Sequence, residues 1–316
     1  MSVWPEESDV SELITTLGAY DREDLGLILP HEHVFVDLGP MAAANWTDAD
    51  PDDVVDVMAP EIERARAAGV TALVEATPEG VGRRVDVDLA VSEAAEFPVV
   101  VPTGIYQEPK IPDWAREASE DDLYEWLLSE LTEGVEDTGV RAAWIKVSTD
   151  DDDPTGLSAD EAKILRAAAR AGADTGAAIG IHTLHGGVVH QQLDVIEDAG
   201  YDADRFIWIH AQADDADHHE AVADRGAYVE YDWIGGDDQD DERYLDLIER
   251  MLDAGHRDRL LLSQDRGWYD PSEPGGGQQR PYTYLPETFL PKLRERVGEG
   301  TVTRLTQDNP FDAYAR

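Results

Sequence analysis

Residues 25–33 read LGLILPHEH and residues 142–148 read AAWIKVS. In each, a short apolar run of strand character carries side chains able to bind a metal. The same form returns in AAIGIHT (177–183), FIWIHA (206–211) and LLLSQD (260–265). His31, His33, Lys146, His182, His210 and Asp265 therefore all belong to the ends of buried-strand runs. Scattered ligands make one site only if the fold brings those ends to a common rim. A closed barrel of parallel strands does this, because its strands all finish at the same face.

Working outward, eight runs have this apolar, β-branched character: roughly 25–31, 70–76, 97–104, 141–147, 178–182, 205–210, 226–232 and 259–263. VTALVEA, FPVVVPTG and FIWIHA are nearly continuous in apolar residues, as strands covered on both faces require. Amphipathic helix patterns lie between most of them, at 51–68, 120–135, 158–171, 188–199, 215–224 and 240–254. Ser158 and Glu161 fit a capping box. Gly69, Gly172 and Gly200 fit helix C-termini. Eightfold strand–helix alternation predicts an α/β protein, a single (β/α)8 TIM barrel over residues 1–316, ahead of a doubly wound open sheet. No GxGxxG follows the first strand, which weakens any dinucleotide-binding reading. Residues 265–282 (DRGWYDPSEPGGGQQRPY) form a long loop directly after the eighth strand, where an active-site loop belongs.

The formal net charge is −44, from 69 acidic and 25 basic residues. Acidic runs such as Asp150–Asp153 and Asp237–Asp241 are interleaved with apolar periodicity, which argues against disorder. Such a charge disfavours nucleic acid and anionic membrane surfaces as partners. It fits a halophilic protein in a high-salt cytoplasm. The N-terminus, MSVWPEESDV, lacks a signal-peptide pattern, and no run approaches the ~18 apolar residues of a membrane span. A cytoplasmic location is expected. With no cysteine, any metal must be held by nitrogen and oxygen ligands.

On a strand, His31 and His33 share one face and Glu32 takes the other. Lys146 is one of four lysines, and the one inside a strand run. A buried ammonium is costly unless paired or chemically changed. Two readings stay open from the residues alone: a salt bridge to a buried acid such as Glu75, or a neutral amine that takes up carbon dioxide as a carbamate bridging two cations. His185 reads as a neighbour of the site or a loop hydrogen-bonder. His218, His219 and His256 read as surface residues, and His190 as first-turn helix.

Taken in order, HEH, the strand-four lysine, IHT, IH and SxD resemble the phosphotriesterase family of the amidohydrolase superfamily. The likeness runs from TLGAYDREDLGLILPHEH through PTGIY and WIKVS to QDNPFDAY. It implies a barrel with two divalent metal ions: zinc, or iron, cobalt or manganese, all compatible with sulfur-free ligands. His31, His33 and Asp265 would hold the more buried ion, and His182 and His210 the more exposed one. Lys146, as its carbamate, would bridge both together with a hydroxide. Asp265 would also handle the proton of that hydroxide. The resemblance further implies a homodimer.

The implied chemistry is ester hydrolysis. Tyr106, in PTGIY, matches a tyrosine of lactonase-like members and favours a carbonyl substrate; its plain alternative is strand-end packing. Trp233 stands where those members commonly carry arginine. Arg266 and Trp268 open a polar loop that suits a small polar lactone better than a long acyl chain. The leading expectation is a lactonase or carboxylic esterase with phosphotriesterase side activity. Alternatives are a dedicated phosphoester hydrolase and a non-catalytic binding barrel.

The charge generates a prediction of its own. Charge repulsion acts over about 10 Å at 0.1 M salt and about 3 Å at 1 M. The melting temperature should rise steadily as potassium chloride is raised from 0.1 to 2 M, and a flat profile would remove the high-salt reading.

Overall fold

The computed structural model describes residues 11–236 and 240–316. The N-terminal MSVWPEESDV and residues 237–239, most of the second acidic run, lie outside the described residues. A short antiparallel hairpin, β1 (Leu13–Thr15) and β2 (Gly18–Tyr20), precedes the main fold. Ten further strands follow: β3 (Leu27–Phe35), β4 (Val70–Glu75), β5 (Val99–Val100), β6 (Pro102–Thr103), β7 (Trp144–Ser148), β8 (Ile179–His182), β9 (Phe206–Ile209), β10 (Tyr228–Tyr231), β11 (Leu260–Leu262) and β12 (Gly267–Tyr269). Among the described residues, eight α-helices lie between them: α1 (Pro51–Ala67), α2 (Val85–Ala95), α3 (Asp113–Glu117), α4 (Glu120–Thr132), α5 (Ala159–Thr175), α6 (Gly186–Asp198), α7 (Ala216–Asp224) and α8 (Asp241–Asp253).

Among the described residues, every strand ladder beyond the hairpin is parallel, and a single antiparallel bridge joins Gly267 to Arg280. One ladder runs β11-β10-β9-β8-β7-β6 and a second runs β12-β3-β4-β5. The stretch 99–103 carries both ladders, since β5 pairs with β4 and β6 with β7. The other seam, between β3 and β11, is closed by single bonds. The Asp265 backbone N–H donates to the His31 carbonyl (3.3 Å), and the His31 N–H donates to the Ser263 hydroxyl (3.0 Å). The result is the (β/α)8 barrel that the alternation predicts, with β12 added beside β3. All eight strand runs and the six helices read from the sequence are present. Among the described residues, no helix is long and apolar enough to cross a membrane.

Inside the ring, Ile28, Ala72, Val74, Val100, Trp144, Ile207 and Leu261 gather with Phe311 and Tyr314 of the closing QDNPFDAY segment. The Trp144 and Tyr314 rings meet edge to face at 5.1 Å, and the Tyr314 hydroxyl donates to the Pro30 carbonyl. This apolar floor lies one strand repeat from Lys146, which shares a face with Trp144. The larger core packs the outer faces of the strands against the helices. Gly104 adopts φ +123°, and a Cβ there would stand 1.9 Å from the Lys146 carbonyl oxygen. Only glycine lets the PTGIY turn pass this close to β7.

Three local expectations need correction. Helix α5 does not stop at Gly172, which is buried within it against the Tyr201 ring. Its cap is Gly176, in the left-handed conformation at φ 72°. His190 lies in the second turn of α6, which begins at Gly186 rather than 188. His219 is not a surface residue. It is fully buried on α7, where Nε2 binds the Ala211 carbonyl (2.6 Å) and Nδ1 meets the Tyr231 hydroxyl (2.8 Å). His218 and His256 are partly exposed.

Burial lowers the pKa of His219 to about 4. Its neutral form contributes fully above the unfolded value near 6.5. That contribution is lost as pH falls towards 4, because the unfolded chain takes up the proton first. The destabilisation caused by His219→Gln should therefore shrink by about 2 kcal/mol between pH 7 and pH 5. Paired urea titrations of wild type and variant measure this, and a pH-independent difference would contradict a buried neutral imidazole.

Candidate metal centre

The six residues expected at the rim converge at the mouth of the barrel. His31 and His33 alternate along β3. The His31 ring lies 5.4 Å from that of His33 and 5.1 Å from that of His210, and the His210 ring lies 4.4 Å from that of His182. Asp265 Oδ1 stands 3.0 Å from His33 Nε2 and 3.8 Å from His31 Nε2.

Each imidazole is fixed from behind. His31 Nδ1 is bound by Glu230 Oε1 (2.9 Å), with Asp232 Oδ2 at 3.4 Å. His210 Nδ1 is bound by Asp232 Oδ1 (2.7 Å). His33 Nδ1 donates to the Thr77 hydroxyl (2.7 Å), which in turn donates to the Phe35 carbonyl. In these three rings Nε2 is left as the metal-binding nitrogen. His182 is the reverse, since its Nε2 is bound by Asp151 at 2.9 and 3.0 Å.

Glu32, on the opposite face from the two histidines, accepts from the Ser263 hydroxyl (2.7 Å) and the Arg266 N–H (2.7 Å). It thereby pins the segment that carries Asp265. Asp265 has φ 54°, His210 φ 65° and Trp268 φ 87°, three of six such non-glycine residues among those described. Their clustering at one mouth marks a place where the fold holds strained backbone.

Lys146 is buried, and its amine has no carboxylate within 4 Å among the described residues. The expected alternative, a salt bridge with Glu75, is not formed. Glu75 instead accepts from the Val34 and Thr77 N–H groups. Burial lowers the Lys146 pKa to about 8. Burial and the nearby Lys146 charge also hold His31 well below its usual value. Burial, His210 and Lys146 bring His182 to about 4 despite Asp151. His33 behaves oppositely: burial works against its charge, but Asp265 and Glu75 raise it to about 9. Burial alone would raise Asp265, yet His33 and His31 hold it well below the carboxylate range.

The donor set fits divalent cations. His31, His33 and Asp265 bring their ligand atoms within 4.8 Å of one another, as do His31, Glu230 and Asp232. Asp265 Oδ1 and Glu230 Oε2 are buried without an accepted hydrogen bond. Buried carboxylate oxygens with spare acceptor capacity beside imidazole nitrogens fit a divalent cation.

Sequence reading missed Glu230 and the role of Asp232. The signal was present in YVEYD, where acids at alternate positions of an apolar strand share one face. Glu230 is fully buried, and burial together with Asp232 keeps its carboxyl well above the usual range.

Of the residues expected to meet substrate, Trp233, Arg266 and Trp268 line a cavity of about 850 Å³ with Asp265 and Arg280. Trp233 packs on His210 (5.0 Å between rings), and Trp268 lies 5.6 Å from His33. The Arg280 guanidinium covers the Trp268 ring at 4.0 Å. The Arg266 side chain turns to the Gly235 carbonyl. Tyr106 lies edge-on to His182 at 5.4 Å, outside that cavity lining.

Residues 11–314 match the model of the phosphotriesterase family. A phosphotriesterase homology protein of Mycobacterium tuberculosis is 29% identical, over 96% of this chain and 98% of its own. An aryldialkylphosphatase of Saccharolobus solfataricus is 26% identical, over 92% and 95%. A solved structure, from the engineering of organophosphate hydrolysis activity from a weak promiscuous lactonase template, superposes with TM-score 0.83. It is 28% identical, over 96% of this chain and 99% of that one. The chain belongs to the phosphotriesterase family and is a hydrolase of that family.

Proposed function

We propose that this protein is a binuclear metal-dependent hydrolase that opens small polar lactones or related carboxylic esters, with phosphotriesters as secondary substrates. The observation that carries the reading is Lys146. It is a buried amine with no carboxylate within 4 Å among the described residues, set among four imidazoles and Asp265, with its pKa lowered to about 8. An amine of that pKa is partly neutral at physiological pH, and only the neutral form adds to carbon dioxide. The resulting carbamate would supply the bridging oxygens that two cations need.

His31, His33 and Asp265 would hold one ion, and His182 and His210 the other, with Lys146 between. Zinc suits the set best, and iron, cobalt or manganese would also be accepted. When bound, such ions supply Lewis-acid polarisation of the ester oxygen and an acidified water. The chain's own groups do the rest. Glu230, Thr77 and Asp232 hold three imidazoles by Nδ1 and aim Nε2 inward. Asp265, ionised and with one oxygen unsatisfied, is placed to take the proton of the attacking water and return it to the leaving oxygen. Trp233 and Trp268 give apolar walls to a cavity otherwise polar, which favours a compact, oxygen-rich substrate over a long acyl chain. Tyr106, beside His182, would border the reacting carbonyl.

Two experiments decide the reading. Lys146→Ala should lose bound metal, counted by elemental analysis, and drop kcat by more than the 10- to 100-fold typical of residues one step behind a metal. Formate or acetate should restore part of both. Two metals per chain and an intact rate in the variant would refute the bridging lysine. For the substrate, zinc-loaded enzyme should turn over γ- and δ-lactones with higher kcat/KM than aryl phosphotriesters. Efficient phosphotriester hydrolysis without lactone turnover would assign the dedicated phosphoesterase, consistent with the aryldialkylphosphatase relative.

A further inference from the structure

The run Asp150–Asp153 looks like solvated surface charge, and Asp152 and Asp153 are exposed. Asp151 differs. Its two oxygens lie 2.9 and 3.0 Å from His182 Nε2. Gln107 Nε2 donates to Oδ2 at 3.0 Å. The Asp151 backbone carbonyl is bound by His185 Nε2 at 2.9 Å. One residue earlier, the Asp150 N–H donates to Glu161 Oε1 (2.7 Å), within the capping box that starts α5. The carboxylate is thus held by His182 of β8 and by Gln107 after β6, while the backbone that carries it is fixed by His185 and by Glu161 in the first turn of α5.

We propose that Asp151 is a positioning residue for His182. It fixes the ring so that Nδ1, rather than Nε2, faces the shared centre; the inference rests on the metal-centre reading above. An ionised carboxylate only accepts hydrogen bonds, so its contact demands a proton on Nε2 and leaves the lone pair on Nδ1. The other three histidines carry their restraint on Nδ1. His182 therefore needs the opposite tautomer, and Asp151 is the group that imposes it. Gln107 and His185 keep the carboxylate from swinging out to solvent with its neighbours. This gives His185 a role, and it distinguishes one aspartate in a run of four.

The test begins with metal-free, fully folded protein labelled with 15N-histidine. Long-range proton–nitrogen spectra should show His182 as the Nε2–H tautomer in wild type and as a mixture of tautomers in Asp151→Ala. In the zinc-loaded protein, one of the two ions should dissociate to a chelator about 10- to 100-fold faster in Asp151→Ala than in wild type. Asp151→Asn, which keeps an acceptor oxygen, should recover part of that loss, and Asp152→Ala should match wild type. An unchanged His182 tautomer and an unchanged rate of zinc loss in both Asp151 variants would overturn the proposal. If wild type held no zinc at saturation, the metal-centre reading would fail instead. The tautomer spectra would still decide whether Asp151 governs His182.

Discussion

The seam between the first and last barrel strands depends on one buried carboxyl group. Glu32 receives the Ser263 hydroxyl and the Arg266 N–H, while the backbone of His31 bonds Asp265 and Ser263. These contacts replace the regular ladder that is missing between β3 and β11. Together with the β12–β3 ladder beside them, they hold His31 and His33 against Asp265. Burial pushes the Glu32 carboxyl up to about 8 despite the hydrogen bonds it accepts. The joint therefore carries little charge of its own at neutral pH.

The acidic residues divide into two populations. On the surface, acids outnumber bases so heavily that single arginines serve several carboxylates. Arg296 meets Glu242, Asp246 and Glu249, and Arg225 meets Asp194 and Glu197. Exposed pairs of this kind contribute little singly and are weakened by salt. The inner population, Glu32, Glu75, Glu230 and Asp232, is fully or nearly fully buried and works by hydrogen bonding to defined partners. Composition alone cannot separate the two.

That mixture explains what the sequence revealed. Apolar runs broken by rare residue types stood out, so the barrel and the positions of the six rim residues were legible. Histidine and lysine are scarce in this chain, and their placement carried information. Acids are abundant, so Glu230 and Asp151 were hidden among the 67 others in a set that totals 69. Helix α2 (VDVDLAVSEAA) was missed because Arg84 at its start offers no side-chain cap and its buried stripe includes the polar Asp88 and Ser92. Gly172 misled for a different reason. A glycine within a helix can mark a close approach, here by the Tyr201 ring, as readily as an end.

The left-handed conformations of His210, Asp265 and Trp268 bear on how such a protein can change over evolutionary time. Any replacement there must satisfy the backbone before it can try new chemistry. Asparagine, aspartate and glycine meet that condition most easily, and β-branched residues do not. An unsuited residue at any of these positions would cost on the order of 1–3 kcal/mol of backbone strain, so conformation as well as chemistry narrows the choice there. Diversification is pushed outward, onto Trp233 and the non-glycine positions of the 265–282 loop other than Asp265 and Trp268, where φ is ordinary. A family built on this frame would be expected to share its rim and differ in its loops.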